Sequence, residues 1–237
     1  MDLSHAVALV TEADKGLGKE IARGLARLGV TVLVGARDLG SADAVAAELE
    51  PDGRVVPLQL DLADQASIEA AFAEIDARYG RLNILVNNAD ARWPRLPPSQ
   101  VDATAMHASF DTNVSSIVAG TNAMLPLLRR SLDARIVNIA NLPGSIGEEE
   151  AFMRLPSMPS STSRTALDAI TLQYARELAA TDIKVNAAAL GQIAVASYNF
   201  SAMRTPAEGV ATAIRLATLD VGGPTGGFFD ETGPLTW

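Results

Sequence analysis

The chain contains no cysteine, which excludes disulfides, thiolate nucleophiles and cysteine-based metal sites. Histidine is scarce. His5 and His107 are the only two, and they do not share metal-ligand spacing, so no metal site is expected. Lysine occurs only at Lys15, Lys19 and Lys184, and acidic residues outnumber basic ones by 28 to 19. The net charge is −9 and the isoelectric point is near 4.7. Nucleic acid and anionic membrane surfaces both call for a basic face, so neither is expected as a partner. Long apolar runs are missing too. The stretches 6–10 and 30–34 fall far short of the roughly 20 residues that cross a bilayer. No basic stretch followed by an apolar core opens the sequence, so no secretory leader is expected and the cytoplasm is the expected location.

What is present is a large apolar fraction, 48% of 237 residues, enough for one α/β domain over 1–237 with a full core. Short, near-continuous Val, Ile, Leu and Ala runs at 6–10, 30–34, 55–60, 84–87, 135–139, 184–188 and 227–229 read as strands covered on both faces. Helical stripes lie between them. Leu17, Ile21, Leu25 and Leu28 form one, and Ile68, Phe72, Ile75 and Tyr79 another. Val114, Ile117, Val118, Thr121, Leu125 and Leu128 form a third, and Ala166, Ile170 and Tyr174 a fourth. Asp64 is placed to cap a helix, and Gly29 and Gly80 stand where helices end. This alternation predicts an α/β fold with a Rossmann-type, doubly wound parallel sheet of about seven strands. Two Pro- and Gly-rich loops, 91–100 and 142–160, lie past the carboxyl ends of the fourth and fifth strands, where open α/β sheets place their sites.

The turn after the first strand reads "VTEADKGLG", from Val10 to Gly18. Glycine-rich turns of this kind bring backbone amides close to a phosphate. Here Glu12 and Asp14 stand where an anion would sit.

Together with this turn, the segments "ILVNNA", "DTNV", "RIVNIA", "ARELAATDIKVNAAALG" and "GPTGGFFDETGPL" resemble the classical short-chain dehydrogenase/reductase family over nearly the whole chain. The last is similar to the carbonyl-reductase-like branch. The resemblance implies hydride transfer between a nicotinamide cofactor and a carbonyl or alcohol. On the cofactor side it implies roles for Thr11, Gly16 and Gly18 in the turn, for Asp61 and Leu62 at the adenine, and for Asn87. Arg37 is the residue type that favours the 2′-phosphate of NADP. Glu12 takes the place of the first glycine of the turn, and Asp90 takes the place of the glycine in the N-N-A-G motif. Of the catalytic tetrad, Asn113 is kept. The serine position is Asn141, and the tyrosine and lysine positions are Ser160 and Arg164. No shift of register rescues the motif: Tyr79, Tyr174 and Tyr198 are followed four residues on by Asn83, Leu178 and Ala202.

Ser160 is a poor acid and a poor base at neutral pH, and Arg164 cannot shuttle a proton as a lysine can. Glu12, Asp14 and Asp90 add negative charge beside a pyrophosphate site. These substitutions predict that ordinary hydride transfer is very slow or lost. They also predict no cofactor, with weakly bound NADP(H) as the alternative. The expected activity is then a non-redox one, such as cyclisation, isomerisation, aldol-type chemistry or dehydration of a carbonyl or polyketide-like small molecule of secondary metabolism. In it Asn113, Asn141, Ser160 and Arg164 serve as donors to an oxyanion. A catalytically dead subunit paired with an active relative, and an atypical NADP(H)-dependent reductase, are the alternatives. The family's use of helices near 110–130 and 163–180 as interfaces implies a homodimer or tetramer, or a hetero-oligomer with an active relative.

Overall fold

A computed structural model describes residues 2–88, 93, 96–149, 157–190 and 205–237, the side chains of 206 and 207 aside. The strands are β1 (Val7–Val10), β2 (Thr31–Ala36), β3 (Val55–Gln59), β4 (Ile84–Asn87), β5 (Arg135–Ala140), β6 (Lys184–Ala189), β7 (Phe228–Phe229) and β8 (Pro234–Leu235). The helices that position the site are α1 (Gly16–Arg27), α2 (Leu39–Leu49), α3 (Gln65–Tyr79), α4 (Ala103–Phe110), α5 (Ser116–Leu128), α6 (Met158–Glu177) and α7 (Ala211–Ala217). One sheet collects the strands in the order β3-β2-β1-β4-β5-β6-β7-β8. Every pairing is parallel except that of β8 with β7. The eighth strand was not anticipated, because Pro234 interrupts any apolar run around Leu235 and Pro–Leu alone leaves no strand pattern.

The alternation of side chains along each strand builds two cores. Ala8 and Val10 of β1 face one side of the sheet, with Ile21 and Leu25 of α1, Val45 and Leu49 of α2, and Leu216 of α7. Val7 and Leu9 face the other, with Ile68 and Ile75 of α3, Leu125 and Leu128 of α5, and Tyr174 of α6. Residues that bury on both faces explain why the strands read as unbroken apolar runs.

Asp64 caps α3 by accepting from the Ala66 N–H at 3.1 Å. Gly80 ends it at φ 68°, a left-handed turn that costs glycine little. Leu28, read as part of the α1 stripe, is 45% exposed beyond the helix end. No stripe marks α2 in the sequence, because half of its buried side is alanine, Ala42 and Ala46, which offers little contrast with its surroundings.

Arg135 opens β5 and is fully buried. Its guanidinium donates to the Leu219 carbonyl at 2.9 and 2.6 Å, to that of Ala134 at 2.9 Å and to that of Asp182 at 3.3 Å. The side chain thus ties the sheet to the loop after α7 and to the approach to β6. Among the described residues, no helix is long and apolar enough to cross a membrane.

Candidate active site at the carboxyl edge of the sheet

The chain reverses direction across the sheet between β1 and β4, and such switch points open a crevice beyond the carboxyl ends of the strands. The turn after β1 is braced there. Thr11 donates its N–H to the Val86 carbonyl at 3.1 Å and accepts the Asn88 N–H on Oγ1 at 3.0 Å. Asn88 Nδ2 in turn donates to the carbonyls of Thr11 and Glu12 at 3.2 and 3.1 Å. Glu12 has φ 48°, a left-handed value found at no other non-glycine position among the described residues. Such a backbone costs a side-chain-bearing residue roughly 1–2 kcal/mol. Gly16 follows at φ 56° and opens α1. A Cβ on Gly18 would sit 2.5 Å from the Glu12 carbonyl oxygen and 2.6 Å from Asn88 Nδ2, so only glycine lets the helix approach the turn this closely. Asn88 was missing from the sequence-based site, although its motif was recognised. The bracing role needs three-dimensional proximity to the first turn.

Beside this turn lies a pocket of about 360 Å³ lined by Glu12, Asp14, Lys15, Arg37 and Asp38. Two cations and three carboxylates share it. Asp61 holds the Ala63 N–H at 3.0 Å, and Leu62 packs so tightly on α5 that a Cβ at Gly120 would lie 2.7 Å from it. Asn87 is buried and donates to Thr121 Oγ1 at 3.0 Å and to Asn138 Oδ1 at 2.8 Å. Asn138 passes the chain on to Thr171 Oγ1 of α6 at 2.8 Å. Asp90 lies outside the described residues, as do parts of both site loops.

The four tetrad positions occupy the same edge. Asn113 sits in a π-helical turn, Asp111–Ser115, between α4 and α5. Such turns insert a residue into the helical ladder, and here Asn113 is fully buried. Its Nδ2 donates to Ser163 Oγ at 2.9 Å, which ties it to α6. Asn141 follows β5 and leads into the short turn Leu142–Gly144. A Cβ on Gly144 would come within 2.7 Å of Arg164 Cβ, so this turn presses directly on α6. Arg164 is buried and its Nη1 donates to the Ile139 carbonyl at the end of β5. Ser160 is half-buried in the first turn of α6. The loop after β5 is held from the far side, where Ser145 Oγ donates to the Thr236 carbonyl at 2.8 Å and the Gly147 N–H to the Trp237 carbonyl at 2.8 Å.

Of the apolar stripe read in the sequence for α6, Tyr174 is buried and Ile170 packs against the core, but the buried side of the helix extends beyond the stripe. Ala166 and Ile170 are only half-buried, whereas Ser163, Arg164, Leu167, Asp168 and Thr171 are buried. Asp168 was not anticipated as part of the site. The signal was its spacing, since Ser160, Arg164 and Asp168 recur every four residues and stack along one side of a helix.

The match to the family described as short chain dehydrogenase covers residues 6–203. A rhamnolipid-biosynthesis 3-oxoacyl-[acyl-carrier-protein] reductase of Pseudomonas aeruginosa is 32% identical over 195 residues, 80% of this chain and 73% of that protein. A 3-oxoacyl-[acyl-carrier-protein] reductase of Escherichia coli is 30% identical over 193 residues, 81% of this chain and 75% of that protein. The solved active-site complex of Pseudomonas aeruginosa RhlG with NADP superposes with a TM-score of 0.84 at 26% identity, covering 98% of each chain.

These relatives overturn the expectation that hydride transfer is lost in favour of non-redox chemistry, because they point to ordinary reductase activity. The expectation of no cofactor falls with it. The physical reason lies in the sizes of the effects. Acid–base assistance contributes roughly 10²–10⁴-fold in rate, whereas holding two reactants in register contributes up to about 7–11 kcal/mol. Substitutions at the proton-handling positions bear on the smaller contribution, and the braced turn after β1 keeps its glycine-like shape. On a match spanning 6–203 and on relatives aligned over about three-quarters of their own length, this chain belongs to the short-chain dehydrogenase/reductase family.

Proposed function

We propose that this chain is an NADP(H)-dependent reductase of a small-molecule carbonyl compound, with a 3-oxoacyl thioester as the substrate class suggested by its relatives' names. The observation that carries the reading is the pairing of Lys15 and Arg37 on one pocket beside the turn after β1. An arginine fork and an ammonium suit a phosphomonoester. The turn offers what a pyrophosphate needs: a glycine-shaped backbone, and a helix start at Gly16 that no side chain caps. The residues present therefore fit the cofactor, with Glu12 and Asp14 reducing the affinity.

The bound nicotinamide would supply the hydride. The chain's own part is to hold the carbonyl compound and to stabilise the negative charge that grows on its oxygen. Ser160 and the fixed charge of Arg164, one helical turn apart at the start of α6, would serve that purpose. The reaction consumes one proton as the oxygen becomes a hydroxyl. Water is its source, since neither a serine hydroxyl nor a guanidinium gives one up near neutrality. Asn113 fixes α6 to the π-helical turn through Ser163 and so sets the depth of the site.

Calorimetric titration with NADPH and NADH tests the reading. NADPH is expected to bind more tightly, and Arg37→Ala is expected to weaken NADPH about tenfold while leaving NADH unchanged. Absence of binding by either nucleotide would defeat the proposal. In the same assay, Glu12→Gly removes a carboxylate from the pocket and the left-handed strain together. It is expected to tighten NADPH by about fivefold, or about 1 kcal/mol. An unchanged constant would show that Glu12 does not oppose the nucleotide.

A further inference from the structure

Asp168 is a buried carboxylic acid that the reaction as described does not use. It is 4% exposed, and among the described residues neither of its oxygens has a hydrogen-bond partner. Burying an unpaired carboxylate is costly, so a protein that retains one exposes itself to protonation there. Arg164 lies one turn earlier on the same side of α6, yet its guanidinium reaches the Ile139 carbonyl at the mouth of the site.

We propose, building on the reductase reading, that Asp168 is a positioning residue whose protonation state decides whether Arg164 presents its charge to the cofactor cleft. With a neutral Asp168, Arg164 extends toward the end of β5, as it stands in this structure. With an ionised Asp168, the guanidinium is drawn inward, and its attraction for an anionic nucleotide and for the developing alkoxide weakens. Two arrangements of one side chain, selected by one proton, couple pH to cofactor affinity.

The chemistry of the surroundings agrees. Burial pushes the Asp168 carboxyl up to about 7, and Arg164 opposes the shift. The acid is therefore neutral at pH 6 and ionised at pH 8. The described elements packed against α6 include β5, β6, α4, the π-helical turn and the turn after β5. Their charged groups lie elsewhere. Arg135 and Lys184 stand at the starts of β5 and β6, and His107 and Asp111 are exposed. Arg164 is the charge that acts on Asp168.

The test is the NADPH dissociation constant measured by calorimetry from pH 6 to pH 8 on the unmodified chain and on Asp168→Asn, the uncharged isostere. The unmodified chain is expected to lose about fivefold to tenfold in affinity relative to the variant as pH rises, with the two equal at pH 6. Ionisation of the nucleotide's own phosphate affects both proteins alike, so the ratio isolates Asp168. A ratio that stays constant with pH overturns the inference and leaves the reductase reading intact, whereas no NADPH binding by either protein overturns that reading and the inference with it. Carbon-13 carboxyl titration of the unmodified chain serves if the variant does not fold. A midpoint near 7 supports the proposal and a midpoint below 5 overturns it.

Discussion

With Ser160→Tyr and Arg164→Lys combined, the chain is expected to reduce a carbonyl compound with NADPH about 10²- to 10⁴-fold faster than the unmodified chain. The two positions are one helical turn apart at the start of α6. A phenol at 160 would be placed where the carbonyl oxygen is polarised, and an ammonium at 164 lowers the phenol's pKa toward neutrality. Lysine also releases Arg164's hold on the Ile139 carbonyl, which frees the side chain to point along the helix. Neither change alone supplies the effect. A phenol without the ammonium stays near its ordinary pKa of about 10, and an ammonium without the phenol has no acid to tune. The measurement is NADPH oxidation followed by absorbance for the two single variants and the double variant. An additive pair of small changes would show that proton delivery does not limit the rate.

Arg135→Met is expected to destabilise the fold by about 3–5 kcal/mol, which lowers the melting temperature by roughly 10 °C for a chain of this size. Replacing a buried ion pair by apolar residues is often tolerated, because both charges leave together. Arg135 is a different case. Its partners are the backbone carbonyls of Leu219, Ala134 and Asp182, which no substitution removes. Methionine has similar length and fills the space, but it removes the donor to the Leu219 and Asp182 carbonyls, while the Ala134 carbonyl keeps the Lys184 N–H. Urea unfolding by fluorescence and calorimetric melting both report the loss. A cost under about 1 kcal/mol would mean that water or another donor takes over the carbonyls.

The sheet was legible because most of its strand residues are apolar and buried on both faces, with few polar residues to blur the signal. β4 coincides with its expected range, and β1, β2, β3, β5, β6 and β7 differ from theirs by no more than one or two residues at either end, as strand and helix termini ordinarily do. What escaped reading had weak or misleading contrast: α2, with its alanine-rich buried side, and the two-residue strand β8. The site divided along similar lines. Residues fixed by local motifs, such as Thr11, Gly16, Gly18 and Asn87, stand at the switch point of the sheet. Asn88 and Asp168 became visible only through contacts across the fold or through burial. The functional expectation went astray because it weighed the changed residues at 12, 141, 160 and 164 and gave too little weight to the unchanged frame around them. A polar residue inside a helix stripe looks like an interruption in one dimension, whereas on α6 the interruptions Ser163, Arg164 and Asp168 are the buried face itself.

The left-handed backbone at Glu12 has a consequence for how this turn can change over time. Glutamate and glycine codons differ by one base, and the chain at position 12 already follows the path glycine prefers. Reverting the residue therefore demands no remodelling of the loop, of Gly18 or of the Asn88 brace. The family's turn lies a single mutational step away, and the sequence can move between the two forms without passing through a misfolded intermediate.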